Sequence, residues 1–351
     1  NYIIVGAGSA GCAVANRLSE NPNNKVLLIE AGRSSHPVSR LPASFALLID
    51  NPKANWRYRS EPEENTSNRQ IPIPRGKLLG GSSSINGLVY VRGNKLDYDT
   101  WAQLGNTGWS YDDVLPFFKK MENYQGEITE VRSTEGPLKI SEVVDRNPIY
   151  EGLFKGAEEI GIPINKDYNG HEQEGISYTQ TTIFKGERMS AEVAYLKPIR
   201  SRKNLTIISN SLVTKLLFDG KTCVGVKVKT KNKIQDYFSQ NEVILCGGAI
   251  NSPQILELSG IGNRSILEEK GVSLIHELKG VGENLRDHLG PRLVYNITKR
   301  GISYNDKARG INLIKQVLAY AFKRRGFLTL PSAPVLGFFK TRKELVAPDI
   351  Q

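Results

Sequence analysis

An α/β fold whose core is a parallel sheet is predicted by three observations. The chain begins with a short apolar run, Tyr2-Ile3-Ile4-Val5, followed at once by glycines in the order G-x-G-x-x-G at Gly6, Gly8 and Gly11. A small-residue helical pattern (Ala13, Val14, Ala15, Leu18) and a turn at Asn21-Pro22-Asn23-Asn24 then lead to a second apolar run, Val26-Leu27-Leu28-Ile29. That run ends on Glu30, roughly 20 residues beyond the last glycine, where a dinucleotide-binding turn places its ribose-binding acid.

Each part of this βαβ pattern has a physical reason. Tyr2 to Val5 reads as a strand buried on both faces. Gly6 lets the chain turn sharply, Gly8 leaves room for a pyrophosphate against the backbone, and Gly11 lets the following helix pack on the strand. Ser9 and Ala10 open that helix, whose free N–H groups and positive dipole end face the phosphates. The turn by itself serves NAD and FAD equally, and Glu30 suits a ribose with free hydroxyls rather than a 2′-phosphate.

The stretch from Arg33 to Pro74 is rich in Pro, Asn, Ser and charge and carries Trp56 and Tyr58. It is too long for a simple connection and is expected to cover a ligand. Next, Gly80-Gly81-Ser82-Ser83-Ser84-Ile85-Asn86 leads through Gly87 into the apolar Leu88-Val89-Tyr90-Val91. Close backbone, a few polar anchors and dry walls are what a flat heteroaromatic cofactor needs. Apolar residues tight against the glycines on both sides exclude a solvated spacer. Asp112 to Met121 is expected to be an amphipathic helix with Leu115, Phe117 and Phe118 inward, Glu122 to Glu135 a polar loop, and Pro148 to Ile160 a helix. Pro137 to Ile140 and Ser177 to Phe184 alternate like half-exposed strands. Strands follow at Leu205 to Ile208, Val213 to Phe218 and Val224 to Lys229, with Asp219-Gly220 as a turn. A buried strand, Glu242 to Cys246, runs into Gly247-Gly248 and a helix from Ser252 to Leu258, a second strand–glycine–helix unit aimed at the same sheet. Ile311 to Arg325 is expected to be an amphipathic helix, basic in its last turn and closed by Gly326.

The 351 residues suffice for two structural units. A hydrophobic content of 39% and a charged content of 24% are ordinary for a globular protein. No apolar run reaches about 18 residues, so no membrane-spanning helix is expected. The chain opens abruptly on a core strand, so no signal peptide or transit segment is expected and a few residues are expected to have been clipped from its start. The net charge is +11, yet the basic residues are scattered. The short runs Lys323-Arg324-Arg325 and Lys340 to Lys343 fit solvated faces or a weak attraction to an anionic membrane surface, not nucleic acid. Cys12, Cys223 and Cys246 are odd in number and far apart, with neither a metal spacing nor a disulfide framework. They favour a reducing compartment, hence the cytoplasm or the inner face of its membrane.

Several blocks resemble the glucose–methanol–choline (GMC) oxidoreductases, a family of FAD-dependent enzymes. Gly76 to Asp99 resembles the family's first signature and Gly248 to Gly262 its second. Gly186 to Leu196, Gly282 to His288, Asp97 to Trp101 and Gly108 to Tyr111 fit further blocks. The resemblance covers essentially the whole chain and is strongest to bacterial choline dehydrogenase-like and alcohol dehydrogenase-like members. It implies a Rossmann-like FAD-binding domain with a discontinuous, partial substrate domain on an antiparallel sheet, α+β overall. The implied boundaries are 1–135 and 189–290 for the FAD domain and 136–188 and 291–351 for the substrate domain. It also implies roles. Gly6, Gly8, Ser9, Ala10 and Gly11 face the pyrophosphate, and Glu30 takes the adenosine ribose. Leu78, Gly81 and Ser82 lie along the flavin, while Asn86, Gly87, Leu88 and Val89 contact the isoalloxazine. Val213 brackets the adenine by its backbone. Some members attach FAD through a histidine just before the Asn86 position. Ile85 stands there in this chain, so non-covalent FAD is expected.

The reaction implied is hydride removal from an alcohol carbon to the flavin, with a histidine taking the hydroxyl proton. Of the chain's histidines, His36 and His171 sit in polar loops and His276 ends a strand. His288 falls in a block where the family histidine is not the base. The family's base and its partner lie in a C-terminal segment. The chain is therefore expected to be truncated after Gln351 and inactive alone, and no catalytic residue is assigned within it. The expected substrate is a choline-like or primary alcohol, with a quinone, a carrier or oxygen as acceptor. Two alternatives stay open: a lyase or photodecarboxylase on the same scaffold, and a non-catalytic flavin-binding protein.

Overall fold

The computed structural model describes residues 1–299 and 301–351. The chain divides into two compact units: Asn1–Ser39, Ala46–Ile85 and Ser190–Val294 form one, and Arg40–Phe45, Asn86–Met189 and Tyr295–Gln351 the other. The segment 86–135, which the expected boundaries grouped with the N-terminal domain, belongs to the second unit.

In the first unit, the opening apolar run is strand β1 (Tyr2–Val5), followed by helix α1 (Ser9–Leu18) and strand β2 (Val26–Ile29). Strands β3 (Leu205–Ile208) and β7 (Glu242–Leu245) join them in the order β3-β2-β1-β7, all parallel. Ile4 at the centre of β1 pairs with Leu28 and Ile244. β1 and β2 are apolar throughout because both faces are covered: Ile4 and Leu28 are fully buried. β7 is only half-buried, not buried as its composition suggested, because it forms the edge of the sheet.

Strands β4 (Leu212–Asp219), β5 (Thr222–Lys229) and β6 (Ile234–Phe238) form an antiparallel sheet, with Gly220 at φ 57° in the first turn. Helix α2 (Gly248–Leu258) starts four residues earlier than its sequence pattern suggests. Ile255 of α2 packs with Ile3, Ile29, Val213, Leu216, Val226 and Val228 into one core. Each such aliphatic side chain contributes about 1.5–3 kcal/mol when removed from water. His276 opens rather than ends a two-residue strand, His276–Glu277.

The second unit departs further from expectation. Its helices include Lys95–Gln103, Tyr111–Met121, Pro148–Glu159 and Gly310–Lys323. Phe117 is 69% exposed, because the inward stripe follows Val114, Leu115 and Phe118 and leaves it outside. The last helix stops at Lys323, and Arg324 itself takes the left-handed capping conformation ahead of Gly326. The expected Ser177–Phe184 strand is three short ones, Gly175–Tyr178, Gln180–Thr181 and Ile183–Phe184. Ser177, Gln180 and Thr181 are buried there, not half-exposed.

The supposed polar loop after Met121 begins instead as a buried strand, Glu122–Tyr124, paired in parallel with Leu138–Glu142. Its charge is neutralised in place. Glu122 Oε1 lies 2.6 Å from Arg92 Nη2 and 3.0 Å from Arg132 Nε. The Tyr90 hydroxyl donates to Glu122 Oε2 at 3.1 Å. Arg132 also donates to Asp167 Oδ1 at 2.6 Å and to Gln180 Oε1 at 3.1 Å, and its guanidinium lies 3.7 Å from the centre of the Tyr124 ring. Buried charges survive when they are paired and hydrogen-bonded in this way. Among the described residues, no helix is long and apolar enough to cross a membrane.

Candidate functional site

The glycine turn after β1 opens on a cavity of about 480 Å³ in the first unit. The sequence forces the turn. Gly6 sits at φ +97°, and a Cβ there would lie 2.6 Å from the Cys246 carbonyl oxygen. At Gly11 a Cβ would overlap the Gly6 carbonyl oxygen, so α1 approaches β1 this closely only with glycine. Gly8 is different. Its φ of −76° is open to any residue, and a Cβ there would meet only the Cys246 oxygen, at an ordinary 3.9 Å. The fold alone gives no reason for glycine at this position. Gly8 faces the cavity, and a ligand lying against the backbone does give one.

Two helix N-termini open on the cavity, α1 at Gly8 to Ala10 and α2 at Gly247 to Ser252. Neither has an acid in its first turn or a capping side chain, so both keep their positive ends for an anion. Among the described residues, the charged lining consists of one base, Arg75, and one acid, Glu30.

Glu30 is 6% exposed at the end of β2. Its Oε2 accepts from the Ala7 N–H at 2.9 Å and its Oε1 from the Gly32 N–H at 2.8 Å, so it ties the strand end to the glycine turn. Burial pushes its pKa up, against the pull of those two N–H groups and of Lys77. With two neutral donors placed, the carboxylate keeps acceptor capacity for a ligand hydroxyl.

Of the residues singled out in the sequence, Gly6, Gly8, Ser9, Ala10, Glu30, Gly81, Ser82 and Val213 line this cavity together. Gly11 lies behind the lining, and Leu78 is buried among Leu48, Ala54 and Ile85. Asn86, Gly87, Leu88 and Val89 fall in the second unit. There, Leu88 has φ 69°, and a Cβ on Gly87 would overlap the Ser332 hydroxyl.

Sequence reasoning did not assign Trp56, Arg75, Cys246 or Asn251 to the lining. The second strand–glycine–helix unit pointed to Cys246 and Asn251 as a region, not as residues. Trp56 stacks on Tyr58 at 5.8 Å and 7°, with Lys77 Nζ 4.4 Å from its ring centre. The Tyr58 hydroxyl donates to Asn251 Oδ1 at 2.6 Å, a long-range contact with no sequence signal. None of the four histidines lines the cavity.

The comparisons with known proteins agree with this geometry. The family profile described as GMC oxidoreductase matches residues 1–290. The chain is 40% identical to an alcohol dehydrogenase [acceptor] of Pseudomonas putida, aligned over 100% of this chain and 64% of that protein. It is 38% identical to an oxygen-dependent choline dehydrogenase of Photobacterium profundum, over 100% of this chain and 62% of that protein. It superposes with a TM-score of 0.88 on an FAD-dependent oxidoreductase from Chaetomium thermophilum, at 30% identity over 97% of this chain and 61% of that one. The chain thus spans somewhat less than two thirds of these relatives' length. The fold class and the expectation of FAD as cofactor are borne out by the family match and this structural relative. With the profile covering most of its length, the chain belongs to the GMC oxidoreductase family.

Proposed function

We propose that the full-length protein oxidises a choline-like or primary alcohol with FAD, the first unit holding the cofactor and the second serving the substrate. Gly8 carries the cofactor half of this reading: it is a glycine that the fold does not require, facing a cavity of about 480 Å³ beneath two uncapped helix ends. The N–H groups of α1 and α2 and the Arg75 guanidinium would hold the pyrophosphate, and Glu30 the ribose hydroxyls. The turn Asn86 to Val89 would meet the ring. FAD, when bound, supplies the acceptor for the hydride leaving the carbinol carbon. The hydroxyl proton is assigned to no histidine of this chain. His171, for instance, is bonded to Glu130 at 2.5 Å.

Attachment is non-covalent in this reading. Ile85 is buried in an apolar cluster, and burial raises the Cys246 thiol's pKa, which leaves it a poor nucleophile. Acid precipitation should leave the flavin in the supernatant, and colour retained on the polypeptide would contradict this. The alcohol half is supported by the relatives' names. It is tested by anaerobic bleaching of the flavin absorbance of the full-length protein with choline and a series of primary alcohols. Bleaching by one of them is expected, and none by any would overturn the assignment.

A further inference from the structure

Asn86 is the predicted ring contact with the most distinctive surroundings. It begins a turn held from several sides within the second unit. Its Oδ1 accepts from the Leu88 N–H at 3.2 Å, while the Ser332 N–H donates to the Gly87 carbonyl at 2.9 Å. Leu88 is fully buried at φ 69°, a conformation that residues with a side chain seldom adopt. Strain of this kind persists only where neighbouring contacts over-determine the backbone.

Arg188 supplies the strongest of those contacts. It is 1% exposed. Its Nη1 donates to Asn86 Oδ1 at 2.7 Å and to the Asn86 carbonyl oxygen at 2.9 Å, and its Nη2 donates to the Pro42 carbonyl at 3.4 Å. Its main-chain N–H donates to the Arg40 carbonyl at 2.9 Å. Burial lowers its pKa to about 10, so it stays charged at neutral pH.

A primary amide has one accepting end and one donating end, and its neighbours decide which way it faces. At Asn86 both the guanidinium and the Leu88 N–H meet the oxygen. Turning the amide over would set its NH₂ group against two donors and forfeit a charge-assisted bond. The nitrogen is therefore the outward end. Asn86 is exposed, and among the described residues Nδ2 donates to no protein group.

We infer that Arg188 is a positioning residue, which fixes Asn86 with its N–H donors outward so that they meet an acceptor edge of the flavin ring. This rests on the reading of Asn86 as a ring contact. A donor held in place against the ring favours added electron density there, so it raises the tendency of the flavin to be reduced.

The test uses the full-length protein loaded with FAD and reads the flavin's visible spectrum, its midpoint potential and its dissociation constant. Asn86→Ala is expected to lower the potential, shift the spectrum and weaken FAD about tenfold, as loss of a hydrogen bond to a bound group does. Arg188→Gln should reproduce the spectral and potential shifts, and the double variant should add little to either. Asn86→Asp keeps an acceptor for Arg188 but removes the donor. It should melt as the wild type does and still show the lowered potential. If Arg188→Gln fails to fold, Arg188→Lys decides, with a smaller shift in the same direction. A shift in Asn86→Ala without one in the Arg188 variants would overturn the positioning role alone. No shift in Asn86→Ala would overturn both the ring contact and the inference built on it.

Discussion

Glu30 and Glu122 are both buried carboxylates, one in each unit, and their partners differ in kind. Glu30 is met by two neutral backbone N–H groups at 2.9 and 2.8 Å. Glu122 is met by two guanidinium groups, a tyrosine hydroxyl and one backbone N–H, that of Ser133. The first carboxylate is held in place but not saturated. It faces a cavity, burial raises its pKa, and it retains lone pairs for a ligand. The second is filled by two cations, a hydroxyl and an N–H, which fits a structural part of a core. Burial alone therefore does not mark a functional acid; what its partners leave unspent does.

Removing Glu122 should break this comparison most visibly. Glu122→Ala takes from buried Arg92 its carboxylate partner and leaves Arg132 with Asp167 alone, and is expected to lower stability by about 3–5 kcal/mol, as measured by chemical denaturation. The fraction that folds at low temperature should bind FAD as the wild type does, because the cluster lies in the other unit.

Gly8→Ala should do the opposite. Its Cβ fits the fold, so stability should change by less than about 1 kcal/mol, the range for a cap position. FAD affinity should fall by about 30-fold, about 2 kcal/mol, because the methyl group takes the ligand's place. Equal loss of stability and binding would mean that Gly8 is a packing glycine after all.

Glu30→Gln keeps the shape but cannot accept from both Ala7 and Gly32 through carboxylate oxygens. About 1–3 kcal/mol of stability should be lost, and FAD should bind more weakly. The pH dependence has a definite sign. Burial raises the pKa of Glu30 above its ordinary 4.5, so the folded state keeps the proton where the unfolded chain has released it. The stability this proton contributes is complete below pH 4.5 and is lost as pH rises through the raised value. Melting temperature measured from pH 4.5 upward should fall in the wild type on this account, and Glu30→Gln should flatten that part of the profile. Tyr58→Phe, which removes one hydrogen bond to Asn251, should show the smallest effect, about 1 kcal/mol or less.

The same contrast explains what was legible in the sequence. The cavity's floor is made by residues close together in the chain, Gly6 to Ala10 and Glu30, whose spacing is dictated by a strand, a turn and a helix. Such spacing survives in one dimension. The ion cluster draws on Arg92, Glu122, Arg132, Asp167 and Gln180, which no local period connects. Glu122-Asn123-Tyr124 therefore looked like the start of a solvated loop, when neutralising partners had made it a buried strand. The edge strand β7 misled for a related reason: its apolar composition does not say that, among the described residues, no strand pairs with one side of it. Tyr58 and Asn251 meet across 193 positions, and only the folded chain brings them together.

The measurement that bears most directly on the central claim is a titration of FAD, followed by flavin fluorescence, into the wild-type chain and into Gly8→Ala, with thermal melting of both. One FAD per wild-type chain, much weaker binding by Gly8→Ala and matching melting curves are expected. Equal binding by both proteins, or none by the wild type, would contradict the assignment of the cavity to the cofactor.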